Sequence, residues 1–192
     1  MAQTSTTLSG AKAHISNITG TDVSISTSGT ISSTSTVLTG AGKLSVRDLV
    51  TVSGTGSNNK TFTVKEVVST TEFTVEETIS ANDSADGSSD FTLDNTGFVT
   101  DKAKGDGYYS HPDGVHTVSY KVDGTLTGVI QMQGSLATTP TEDDWFDIPG
   151  TRFDLDQSTT ISSSNFTGNF VWVRAKVTSV TAGSVTSILL NS

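Results

Sequence analysis

Val171-Trp172-Val173-Arg174-Ala175-Lys176-Val177 decides the fold class. Val171, Val173, Ala175 and Val177 alternate with Phe170, Trp172, Arg174 and Lys176. That period of two belongs to a strand with one face in a core. The second set starts aromatic and ends basic, so that face is expected to pass from a packed zone to solvent.

The same alternation recurs on both sides of this stretch. Strands are expected at Val115 to Lys121, Thr125 to Gln133, Trp145 to Ile148, Thr151 to Leu155 and Ser184 to Leu190. That density of short strands with turn residues between them reads as an antiparallel β-sandwich, jelly-roll or Ig-like, over residues 108–192. The first two strands are expected to form a hairpin. A three-residue loop, Val122-Asp123-Gly124, pairs Tyr120 with Leu126 and aligns the apolar sets, with Gly124 left-handed.

Toward the N-terminus, Leu49, Val50 and Val52, then Phe62 and Val64, then Phe73 and Val75, then Phe91 and Leu93 mark strands joined by short loops. They suit a small curled barrel over about 43–96. Residues 11–42 are weaker. Ile15 and Ile18, Val23 and Ile25, and Val37 and Leu38 are the anchors, and Ser26 to Thr36 is either an edge strand or an exposed loop. The expected organisation is an N-terminal arm at 1–10, a β-rich domain at 11–96, a linker at 97–107 and the sandwich.

Composition agrees with an all-β chain. Of 192 residues, 33% are hydrophobic and 16% charged, and about a third are Ser or Thr. Low hydrophobicity is a mark of disorder, but disordered chains usually carry much charge, and the ordered alternation argues for folded sheets. The core must be thin. There are no cysteines, so neither a disulfide nor a thiolate metal site can form. No apolar run approaches a membrane span. Met1-Ala2-Gln3-Thr4 lacks the start of a secretory signal. A soluble protein made in a cytoplasm is expected. The net charge of −9 opposes binding to nucleic acid or an anionic membrane.

Candidate chemistry is sparse. His14, His111 and His116 have no partner at ligand spacing, and His111-Pro112-Asp113-Gly114 reads as a turn. Asp83 with Asp86, Glu142-Asp143-Asp144, and Asp154 with Asp156 are carboxylate groups without the spacing of a calcium loop. No phosphate cradle or serine nucleophile motif is present. No enzymatic activity, cofactor or metal is expected. The residues singled out are Trp145, Phe146, Phe170, Trp172 and Arg174, as an interface. Trp145 and Trp172 could alternatively form a sugar-binding platform.

Two stretches resemble accessory virion proteins of tailed bacteriophages, particularly cyanobacterial phages. Asp48 to Gly54, Asn58 to Val64 and Phe73 to Val75 resemble an SH3-like module of phage structural proteins. Leu126 to Leu136, Trp145-Phe146 and Gly168 to Ala175 resemble their β-sandwich modules. The resemblance implies a virion protein, assembled in the host cytoplasm. As a capsid decoration or cement protein it would contact the major capsid protein or other virion proteins. It also implies a homo-oligomer, trimers included. A tail, neck, baseplate or fibre location, and a glycan-binding module for host adsorption, are the alternatives.

Overall fold

The computed structural model describes residues 5–84, 91–109, 114–123, 125–156 and 160–191. It is all-β with antiparallel sheets and divides into two compact units. Unit 1 comprises residues 1–14 and 99–192, and unit 2 comprises 15–98. Strands β1 (Ser5–Ser9) and β2 (Lys12–Ala13) precede unit 2. Unit 2 holds β3 (Ile18–Gly20), β4 (Val23–Ser26), β5 (Thr30–Ser33), β6 (Asp48–Ser53), β7 (Thr61–Ser69), β8 (Glu72–Val75), β9 (Asp83–Ser84) and most of β10 (Phe91–Val99). Among the described residues no helix is long and apolar enough to cross a membrane.

In unit 2 the pairing runs β3, β10, β6, β7, β8, β5, β4, β9. The path nearly returns to its start, because β3 and β4 are separated only by Thr21 and Asp22. Three Cα steps keep Gly20 and Val23 within about 11 Å, so the sheet must curl. Its concave side collects Ile18, Val23, Ile25, Ile31, Val50, Val52, Phe62, Val64, Phe73, Phe91 and Leu93 as one buried cluster. Within Ser26 to Thr36, expected as an edge strand or an exposed loop, Thr30–Ser33 forms β5, an interior strand between β4 and β8 whose Ile31 is fully buried between Ile25 and Phe73 in the ladder.

The seam at β3–β4 is pinned by Asp22. Its Oδ2 accepts from Ser33 Oγ (2.7 Å), Thr34 Oγ1 (2.8 Å), and the backbone N–H (2.6 Å) and Oγ (2.9 Å) of Ser35. Its Oδ1 accepts from Thr36 Oγ1 at 2.8 Å. These donors, Ser33 foremost, hold the Asp22 carboxyl well below the usual carboxylate range.

The chain returns to unit 1 through β11 (Ala103–Lys104) and helix α1 (Asp106–Tyr109). The strands β12 (Val115–Val122), β13 (Thr127–Ser135), β14 (Phe146–Asp147), β15 (Phe153–Asp156), β16 (Ile161–Thr167), β17 (Trp172–Ala182) and β18 (Ser184–Asn191) follow. One sheet is ordered β1, β18, β12, β16, with β2 also on β18. The other is built on β13 and β17, with β14 and β15 along β13 and β11 along β17. Val118, Tyr120, Val122, Ile188 and Leu190 from the first sheet, and Ile130, Met132, Val173, Ala175 and Val177 from the second, form a buried core. Two sheets with one-sided apolar faces reach this arrangement by stacking.

Two features differ from the sequence reading. Residues 5–9, expected in an arm, form β1, with Ser5 opposite Asn191 and Leu8 buried. Residues 97–107, expected as a linker, carry the end of β10, β11 and the start of α1.

The expected hairpin is a correction. Tyr120 pairs with Ser162 and Ile188, and β12 and β13 lie in different sheets. Aligned apolar sets satisfy face-to-face stacking as well as side-by-side pairing, and alternation alone does not separate the two. The crossover is anchored by Asp123, whose N–H donates to Ser184 O at 3.0 Å and whose Oδ1 accepts from Thr125 N and Oγ1. Gly183 (φ 80°) lies so close that a Cβ there would stand 2.4 Å from Leu126 N. Gly124 lies outside the described residues.

Candidate functional site

The five aromatic and basic residues singled out by sequence converge at one end of the unit 1 sheet built on β13. Gly134 faces Phe146 on one side and Val173 on the other, Ser135 faces Trp172, and Gln133 faces Arg174. Register therefore places Phe146, Trp172 and Arg174 together, and Trp145 and Phe170 join them through ring contacts with Arg174 and Phe146.

Arg174 is the interior of this cluster. It was expected on a face opening to solvent, but it is 3% exposed. The segment after β13 folds back over it, carrying a 3-10 turn at Glu142–Asp144. Glu142 Oε1 and Oε2 accept from the guanidinium Nη1 and Nη2 at 2.9 and 2.8 Å. Arg174 Nε donates to Gln133 Oε1 at 2.9 Å, and Gln133 Nε2 donates to Asp147 Oδ1 at 2.9 Å. The guanidinium carbon lies 4.2 Å from the centroid of Trp145. A planar cation with five donors can be buried this way at low cost, because the carboxylate fork, the amide and the ring satisfy it together. Asp144 accepts from the N–H and hydroxyl of Thr141, at 2.7 and 2.8 Å, which closes the turn and lowers its own carboxyl pKa.

Trp172 organises the second half. Its Nε1 donates to Thr138 O at 3.0 Å. Lys102 Nζ sits 4.7 Å from its ring centroid, and Tyr108 packs against it at 5.2 Å. Lys104 Nζ lies 4.1 Å from the Tyr108 ring and 5.6 Å from that of Tyr109. These side chains reach Trp172 because α1 lies directly on the backbone before β17. Gly105 N–H donates to Val171 O and Gly107 N–H to Phe170 O, at 3.0 and 2.9 Å. A Cβ at Gly107 would stand 2.4 Å from Asn169 O, so only glycine permits the approach.

Phe170 and Phe146 complete the set, with ring centroids 5.9 Å apart. Phe170 is buried against Phe166 and His116, whereas Phe146 is exposed. His116 is fully buried, stacked on Phe166 at 4.9 Å, with Nε2 3.1 Å from Gly168 O. It is part of the packing. Among the described residues no group of three or more His, Cys, Asp or Glu is placed to hold a metal ion. Asp83 accepts from Gly56 N–H, and Asp154 pairs with Arg152. His111 and Asp86 lie outside the described residues.

What the end of the sandwich offers outward is apolar with charges of both signs, the exposed Asp143, Asp144 and Asp147 lying on the same segment as Phe146. Leu136, Tyr109, Tyr108 and Phe146 are all exposed, with Lys102 and Lys104 beside them. An ammonium over an aromatic face keeps its charge available while its stem covers apolar surface. The sequence reading missed Tyr108, Tyr109, Leu136 and both lysines. The readable signal was Lys102-Ala103-Lys104-Gly105-Asp106-Gly107-Tyr108-Tyr109, in which two glycines allow close approach and two tyrosines follow. No family model matches the chain, and no curated protein sequence matches it.

Proposed function

We propose that this chain is a non-enzymatic structural protein of a bacteriophage virion, a decoration or cement protein that bridges neighbouring capsid subunits. The observation that carries the reading is the exposed apolar end of the sandwich, built over a buried Arg174 guanidinium that is satisfied internally. Such a surface works by packing. Leu136, Tyr108, Tyr109 and Phe146 supply apolar area, and Lys102 and Lys104 on one segment with Asp143, Asp144 and Asp147 on the other give it a charged rim of both signs. Repetition over a lattice multiplies a weak single contact.

The resemblance supports the same reading. Its first stretch corresponds to β6, β7 and β8, consecutive antiparallel neighbours in the curled sheet. Its second corresponds to β13, β14 and β17, which meet at the aromatic end. The sugar-platform alternative is less favoured, because such a platform needs an open ring face. Trp145 carries the Arg174 guanidinium, and Lys102 and Tyr108 lie against Trp172.

Copy counting by mass spectrometry of purified virions tests the proposal. Hundreds of copies per particle are expected. A dozen or so would move the protein to the neck, tail or baseplate, and absence from the particle would refute the virion role. Tyr109→Asp with Leu136→Asp is expected to abolish retention on expanded capsids without loss of fold, as read by circular dichroism.

A further inference from the structure

We propose that the outer edge of β16 is a strand-addition site for a second copy of this chain, two β16 strands pairing antiparallel across a twofold axis. Strand β16 ends the first sheet of unit 1, and among the described residues no strand pairs with its outer side. In an antiparallel ladder alternate residues of an edge strand aim their N–H and C=O groups away from the sheet. Such a row is a template for another strand, and proteins ordinarily blunt it with charge, proline or a bulge.

None of those devices is present in β16. Ile161-Ser162-Ser163-Ser164-Asn165-Phe166-Thr167 has no charged residue and no proline. Its register on β12 is unbroken from Thr167 opposite Val115 to Ile161 opposite Lys121. The other margin of the sheet is protected, since β1 is interrupted by a register shift between Thr7 and Ser9. The open margin is thus β16.

Charge selects the occupant. A strand laid against its own copy meets every side chain twice, and like charges opposite one another are destabilising. In a chain with 20 acidic and 11 basic residues, seven consecutive neutral positions on an open edge are what self-pairing requires. With Ser164 on the axis, Ile161 falls opposite Thr167, Ser162 opposite Phe166, and Ser163 opposite Asn165. The first is a β-branched pair and the last a hydrogen-bonding pair, both on the solvent face. Ile161, at 62% exposure, gains cover. Such an isologous contact closes on itself, and β-augmentation draws its affinity from main-chain hydrogen bonds. The inference does not rest on the virion reading.

Sedimentation equilibrium of the full chain over about 1–200 µM tests it. The mass is expected to rise from 20.0 kDa toward twice that value. Ser163→Lys with Asn165→Lys, both exposed on the solvent face, is expected to hold the chain at the monomer mass throughout. Leu189→Lys, in β18 away from the edge, is expected to leave dimerisation intact. Hydrogen exchange of the unmodified chain gives an independent reading, with alternate amides of 161–167 slowed about tenfold at high concentration. A monomer at every concentration, a dimer that survives the double lysine variant, or a dimer abolished by Leu189→Lys would each overturn the proposal.

Discussion

Glu142→Ala removes the carboxylate that holds Arg174 and leaves a guanidinium in a nearly dry site. The side chains are 4% exposed for Arg174 and 23% for Glu142. Removing one partner of a fully buried pair costs about 3–5 kcal/mol. Water reaching the Glu142 side reduces this, and Gln133 and Trp145 still engage the cation. The expected loss is about 2–3 kcal/mol. Arg174→Met keeps the volume and leaves Glu142 free to rehydrate. It forfeits the bond to Gln133 and the contact with Trp145, about 1–2 kcal/mol together. In the Arg174→Met background, Glu142→Ala should then cost almost nothing, so the double variant is more stable than Glu142→Ala alone. Urea unfolding followed by tryptophan fluorescence is the assay, because both tryptophans of the chain lie in unit 1. With an m-value of about 1.5 kcal/mol/M, Glu142→Ala lowers the midpoint by about 1.3–2 M. A loss under about 0.5 kcal/mol, or simple additivity in the double variant, would refute the buried-pair account.

Three further outcomes follow from the fold. Asp22→Asn replaces one of the two accepting oxygens at the β3–β4 seam by a donor and removes the charge, and should lower the melting temperature of unit 2 at neutral pH. The native carboxyl is depressed, so its contribution is present above the unfolded value of 3.8 and fades as pH falls below it; the gap between wild type and variant should narrow in acid, and a gap constant with pH would contradict this. Burial raises the Tyr120 phenol above its usual value of 10.0, so it resists ionisation and its contribution is lost as pH rises past 10; Tyr120→Phe should flatten that alkaline decline and, by deleting the bond to Thr151 O, cost about 1 kcal/mol at neutral pH in chemical denaturation. Phe73→Ala, at a fully buried ring, should cost about 3–5 kcal/mol, read as lost amide protection in β5, β7 and β8.

Strand type was legible wherever apolar residues alternate, as at Val173, Ala175 and Val177 or Phe73 and Val75. Strand partners were not. The one-sided sets on β12 and β13 satisfy a hairpin and a sandwich equally, and only the three-dimensional path separates them. The strands β1 and β16 escaped notice because Ser and Thr fill them, with Leu8 and Phe166 as their buried apolar residues. Backbone ladders, which leave no hydropathy signature, hold them. Arg174 was misplaced for a related reason. Its charge suggested solvent, but a loop more than thirty residues away in sequence supplies the carboxylate that buries it. Trp145, Phe146, Phe170 and Trp172 were found because aromatic residues are rare in this chain, whereas Tyr108 and Tyr109 were obscured by the glycine-rich segment before them.

The pairing of Ser5 with Asn191 sets an order of events for the nascent chain. Unit 2 draws only on residues 15–98 and can complete its curled sheet as soon as they emerge. Strand β1 must wait for a partner on the order of 180 residues downstream, a loop closure of the slowest kind. Until it docks, β18 has a bare margin. Residues 5–9 thus act as a latch, and a chain caught before the latch closes exposes an edge that the finished protein keeps covered. Conditions that slow closure should therefore promote misassembly through β18.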